Sequence, residues 1–253
     1  MTQHLYILTG ASRGMGRAMA EQLLAPSNTL LCLSRHPAEA LALQATQVGC
    51  QLVQWSLDLE HSLEASTQLT TWLALATSNT WASATLINNA GVMPPVVPLS
   101  EADPLALAQA LRVGLETPLL LTAVFLHATQ AWHVPRRVLN ISSGLGRRAM
   151  ASQTGYCAAK AGMDHFTRCL ALEEARKPQG AKVCALAPGV IDTDMQVQLR
   201  GAQASAFPDR ENFVALKNQG QLASPAEAAR QILDYLARPD FGSHPVGDLR
   251  DAP

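Results

Sequence analysis

An apolar run at residues 5–8 passes straight into Thr9-Gly10-Ala11-Ser12-Arg13-Gly14-Met15-Gly16, and a helical pattern begins inside that string. Glycines so placed let the chain turn sharply from strand to helix and let a phosphate approach the main chain. The helix start adds N–H donors and a partial positive charge. A glycine cluster alone says little. The strand before it and the helix after it make Gly10, Ser12, Arg13, Gly14, Met15 and Gly16 a candidate dinucleotide cradle rather than a plain strand-to-helix turn.

The rest of the chain repeats the theme of a short apolar run, a turn and a longer amphipathic stretch, as parallel strands with helical crossovers do. Strands are expected at 5–8, 29–33, 51–55, 85–87, 137–140 and 182–186, with a closing strand near 241–246. Helices are expected at 14–24, 38–47, 62–77, 104–111, 118–131, 153–176 and 225–237. Ser224, Pro225 and Glu227 mark the start of the last one. The expected fold is α/β: a single-domain Rossmann fold over 1–253, a doubly wound parallel sheet with helices on both faces. Between Asp192 and Gln221 the alternation lapses around Gly201, Pro208 and Gly220, which reads as a mobile substrate lid or, more plainly, a long surface connection.

Composition removes several function classes. Nineteen Lys and Arg against 20 Asp and Glu give a net charge of −1, so no global field draws in nucleic acid or an anionic membrane. The longest strongly apolar stretch, 119–126, is interrupted by Thr122, and no membrane span is expected. Cys32, Cys50, Cys157, Cys169 and Cys184 form no CxxC pair, so no metal site is expected. Free thiols and the lack of a basic leader point to a cytoplasmic protein.

The second strand ends in Leu33-Ser34-Arg35, where an NAD-binding domain usually carries an acid for the ribose 2′-hydroxyl. Small, neutral Ser34 beside Arg35, with Arg13 as a second cation, suits a 2′-phosphate, so the expected cofactor is NADP(H). Asp58 and Leu59 after the third strand are placed to bound the adenine pocket. Asn88-Asn89-Ala90-Gly91 follows the fourth strand, where the sheet reverses its order and ligands bind; the asparagines are expected both to satisfy the turn and to face the ligand.

Tyr156 and Lys160 lie four residues apart at the start of a strongly helical stretch, on one face, with small alanines between them. A neighbouring ammonium favours the ionised phenol and makes Tyr156 a usable general acid. Such a pair is more often a packed ring beside a solvated charge, so its company decides. Ser142 and Ser143 end the fifth strand at the same sheet edge as the glycine loop, where a hydroxyl can polarise a carbonyl or cap a loop.

TGASRGMG, NNAG, NISSG, YCAAK and Ala187-Pro188-Gly189-Val190-Ile191-Asp192-Thr193 occur in order, and with them the chain resembles the short-chain dehydrogenase/reductase family. The resemblance implies catalytic Ser143, Tyr156 and Lys160: Tyr156 the acid, Lys160 the residue that lowers its pKa and holds the nicotinamide ribose, Ser143 the carbonyl-orienting hydroxyl. Ser143 rather than Ser142 stands at the family's spacing, thirteen positions before Tyr156. Pro188, Gly189, Val190 and Thr193 would meet the nicotinamide end, and a homodimer or homotetramer is implied.

The family commonly has an asparagine in the helix before the fifth strand, holding a water for the proton relay behind the lysine. Here Gly114 stands there. Either the helix is locally irregular or water fills the space, with extra water or Glu116 carrying the relay; alternatively turnover is slow and the chain partly a binding protein. The segment 187–196 and the tail 241–250 resemble, less strongly, the branch with sepiapterin and benzil reductases. That implies reduction of a small-molecule ketone or vicinal dicarbonyl by NADPH. Met195, Leu199, Phe207 and Phe213 would either contact such a substrate or form the core of a short helix. An acyl-carrier ketoreductase, an alcohol dehydrogenase and a non-catalytic NADPH sensor are the competing readings.

Overall fold

Continuous apolar strands require cover on both faces, and the fold supplies it. The computed structural model describes residues 3–76 and 81–251; the two ends of the expected domain and Thr77, the last residue of an expected helix, lie outside them. The strands are β1 (Gln3–Thr9), β2 (Asn28–Ser34), β3 (Gln51–Ser56), β4 (Trp81–Asn88), β5 (Arg136–Ile141), β6 (Lys182–Ala187) and β7 (Val246–Asp248). They form one parallel sheet in the order β3-β2-β1-β4-β5-β6-β7, reversing direction of growth between β1 and β4. This is a doubly wound Rossmann-like sheet. The expected closing strand exists but starts later: Phe241 is buried in the core ahead of β7.

Successive side chains of a strand point to opposite faces, which divides the core in two. Leu8, Leu30, Cys32, Leu139 and Leu186 pack on the face covered by α1 (Gly14–Gln22), α2 (Glu39–Val48) and α9 (Pro225–Ala237). Leu5, Ile7, Leu31, Leu33 and Val138 pack on the other, with α3 (Ser62–Leu75), α5 (Thr117–Ala128) and α6 (Thr154–Glu174). The α9 start is as the sequence predicts: Ser224 accepts the Glu227 N–H at 3.1 Å, with Pro225 in the first turn.

Two segments depart from expectation. Residues 104–128 form one continuous helix of 25 residues, α4 (Pro104–Leu111) running into α5 through a π-helical turn at Arg112–Glu116. Pro118 has no N–H to give the Gly114 carbonyl four residues back, which removes one rung and favours the wider turn; Thr117 instead donates to the Arg112 carbonyl. The helix is therefore locally irregular at Gly114. By length and composition it would suffice to cross a bilayer, a property hidden when 119–126 is taken alone; in the fold it packs against α3, α6 and β4. Finally, 192–221 contains two helices, α7 (Asp194–Arg200) and α8 (Arg210–Asn218), joined over Phe207, which is fully buried.

Candidate active site

The glycine loop is fixed by contacts that tolerate no side chain. A Cβ on Gly16 would lie 2.1 Å from the Gly10 carbonyl oxygen, and Gly10 itself sits at φ +73°. Asn89 locks the loop from β4: its Nδ2 donates to the Thr9 carbonyl at 2.9 Å and to that of Gly10 at 3.3 Å. Thr9 Oγ1 in turn accepts the N–H groups of Asn89 and Ala90. Asn88 faces the other way, donating to Asn140 and Thr122 inside the core. One asparagine thus holds the loop and the other joins helix to sheet.

The start of α1 has no side-chain cap, so its first N–H groups are left for a ligand. Gly10, Ser12, Arg13, Gly14, Met15 and Gly16 line a cleft of about 530 Å³, and Ser34, Arg35, Asp58, Leu59, Asn89, Ala90 and Gly91 continue its wall. Arg35 is exposed at the edge, while the buried Ser34 hydroxyl donates to the His36 carbonyl at 2.9 Å. Asp58 accepts the Glu60 N–H and shapes its own turn. Arg13 crosses the cleft mouth to Asp194 of α7 at 2.7 Å, a pairing invisible in the sequence. An open helix start, a crowded glycine turn and an exposed arginine edge together fit a dinucleotide.

Ser143, Tyr156 and Lys160 line the same cleft, as do Pro188, Gly189, Val190 and Thr193. Lys160 is 4% exposed, and its Nζ donates to the Ile141 carbonyl at 2.7 Å and stands 5.7 Å from the centre of the Tyr156 ring. Burial lowers the Lys160 pKa to about 8, against the pull of Asp164. Burial pushes the Tyr156 phenol up to about 12, against the lowering effect of the Ser143 hydroxyl. Ser142 is directed elsewhere. It is buried and donates to Asp164, which leaves Ser143 as the hydroxyl at the tyrosine.

Glu116, one of the two relay alternatives, is exposed and accepts the Ser62 hydroxyl at 2.5 Å. The four apolar residues of 192–221 divide. Met195, Leu199 and Phe213 line the cleft, whereas Phe207 is core, packed with Met93, Val96 and Met150. Gln153, Gln196 and Arg250 also line the cleft and went unnoticed in the sequence. So did Asp164, although its place four residues after Lys160 puts it on the same helix face.

Comparison with known proteins agrees with this geometry. The short chain dehydrogenase family profile matches residues 4–204. A benzil reductase ((S)-benzoin forming) of Bacillus cereus is 37% identical over 243 residues, 96% of each chain. A sepiapterin reductase of Meriones unguiculatus is 32% identical over 97% of this chain and 95% of its own. Among solved structures, a short-chain dehydrogenase/reductase from Burkholderia vietnamiensis superposes with a TM-score of 0.64 at 32% identity, covering 99% of both chains. The chain belongs to the short chain dehydrogenase family and is an oxidoreductase acting on hydroxyl and carbonyl groups.

Proposed function

We propose that the protein is an NADPH-dependent carbonyl reductase acting on a ketone or vicinal dicarbonyl, with Tyr156 as proton donor. The observation that carries this reading is that Ser143, Tyr156 and Lys160 line one cleft, with the Lys160 amine 5.7 Å from the centre of the Tyr156 ring. The benzil reductase of Bacillus cereus supports the dicarbonyl substrate.

The glycine loop and the α1 start would hold the pyrophosphate, Arg35 with Ser34 and Arg13 the 2′-phosphate, and Asp58 and Leu59 the adenine side. Asn89, Ala90 and Gly91 wall the middle of the site; Pro188, Gly189, Val190 and Thr193 its nicotinamide end, with Tyr156 and Lys160 at the ribose. NADPH supplies the hydride when bound. Ser143 donates a hydrogen bond to the substrate oxygen and fixes the carbonyl against Tyr156. Tyr156, protonated at neutral pH, gives its proton to that oxygen as charge develops there. Lys160, as an ammonium, stabilises the phenolate left behind.

The segment 192–221 acts in this reading as a lid, its Met195, Leu199 and Phe213 offering an apolar wall to the substrate. The five free cysteines support a cytoplasmic setting. Exposed Leu105, Leu119 and Leu172 on α4, α5 and α6 support assembly into a homodimer or homotetramer.

The test is turnover of NADPH and NADH by the purified protein with diketones, simple ketones and acyl thioesters. NADPH-dependent reduction of diketones is the expected outcome. Tight NADPH binding with no turnover on any of them sinks the catalytic reading in favour of a sensor, and a preference for acyl thioesters sinks the substrate class.

A further inference from the structure

Beneath the reaction centre lies a buried carboxylate that the proposed chemistry does not use. Asp164 is 1% exposed. Its Oδ1 accepts the hydroxyl of Ser142, the residue before Ser143. Its Oδ2 has no hydrogen-bond partner among the described residues; the nearest cation, Arg147, is 3.9 Å away. The space above it is kept for it: a Cβ on Gly146 would meet Oδ2 at 2.8 Å and the Lys160 carbonyl oxygen at 2.9 Å. A carboxylate confined beside the Lys160 backbone and the serine loop bears on both.

We propose that Asp164 is a positioning residue of the reaction centre, holding the Ser142–Ser143 loop through Ser142 and holding Lys160 in its charged form. The Lys160 amine is buried with one neutral carbonyl partner, Ile141, an environment that favours loss of its proton. Asp164 is the group opposing that loss. The surroundings of Asp164 are in turn arranged to hold its charge: Lys160 and Arg168 from α6, Arg147 from the loop after the serines, and the Ser142 hydroxyl all work against the effect of burial. Arg147 is shared with Asp248 of β7 at 3.3 Å, and Asp248 holds Arg250 at 2.6 Å. The array therefore runs from Lys160 through Asp164 to the cleft wall at Arg250.

This inference rests on Lys160 serving as an ammonium at the reaction centre, and its test reads the lysine itself rather than turnover. The chain has only four lysines, Lys160, Lys177, Lys182 and Lys217, so 15N-lysine NMR can follow the Lys160 amine through a pH titration. In Asp164→Asn, which keeps an acceptor for Ser142, the proton affinity of Lys160 should fall about tenfold, and the alkaline fall in kcat should move down in pH with it. An unmoved Lys160 titration in folded Asp164→Asn overturns the proposal. If that variant does not fold, the reciprocal measurement decides, because linkage acts both ways. In Lys160→Met the Asp164 carboxyl, followed by 13C NMR, should bind its proton about tenfold more tightly than in the wild type; no change there overturns the proposal equally. Loss of turnover in the wild type would sink the reductase reading while leaving this titration intact.

Discussion

A Cβ placed on Gly114 would stand 3.1 Å from the Cβ of Ala159, the residue beside Lys160. Helix α6 and the π-helical turn are thus packed glycine to alanine at the point where the family resemblance implies an asparagine. Gly114→Asn should therefore lower stability despite the roughly 0.3 kcal/mol that asparagine gains over glycine inside a helix. Its thermal midpoint should fall by a few degrees, and kcat should not rise. A variant equally stable and faster would mean that the space behind Lys160 awaits the missing side chain.

Arg35 stands exposed at the cleft edge beside Ser34. If it grips a 2′-phosphate, Arg35→Ala forfeits a charge-assisted hydrogen bond of about 1.5–3 kcal/mol. The NADPH-over-NADH ratio of kcat/KM should fall about ten- to a hundredfold. An unchanged ratio removes Arg35 from the cofactor site.

Much of this site was legible because its signals are local. The crowding of Gly16 on Gly10, the Tyr156–Lys160 helix face and the Ser224 cap each arise within a few residues of sequence. Ser142–Asp164, Ser62–Glu116 and Arg13–Asp194 join residues brought together only by the fold. Glu116, named with extra water as a relay alternative, is engaged by one of these contacts. The π-helical turn had a local cause, Pro118 four residues after Gly114, which the period of the apolar residues does not reveal. Helices α7 and α8 are short, and Phe207, their shared anchor, lies between them rather than on the apolar face of either.

The anchoring of 192–221 is itself open to test. Phe207 is fully buried against Met93, Val96 and Met150 and stacks on Phe213, ring centres 5.6 Å apart. Phe207→Ala should cost about 3–5 kcal/mol by denaturant unfolding, quicken proteolysis between α7 and α8, and raise KM more than it lowers kcat. Unchanged KM with the expected loss of stability would show that the segment does not form the substrate wall.

Stability should depend on pH through buried Lys160 and half-buried Tyr156, in opposite senses. Lys160 binds its proton less tightly in the folded chain, near pH 8 against 10.5. The unfolded chain then holds more protons between those values, and stability rises across that window. Tyr156, raised from 10.0 to about 12, makes stability fall between those two values. Lys160→Met removes the first effect. Its thermal midpoint should exceed that of the wild type at neutral pH, and the gap should shrink as pH approaches 10.5; a constant gap would contradict the lowered lysine.

The most direct measurement compares Tyr156→Phe with the wild type in NADPH-dependent reduction of a diketone, alongside NADPH binding. The Lys160 amine lies over the Tyr156 ring in the same cleft as Ser143, so removing one oxygen should leave the cofactor Kd within a few-fold. Turnover should drop by about 10²–10⁴, as loss of a general acid does. A phenylalanine variant that reduced the diketone at the wild-type rate would show that the proton comes from another group.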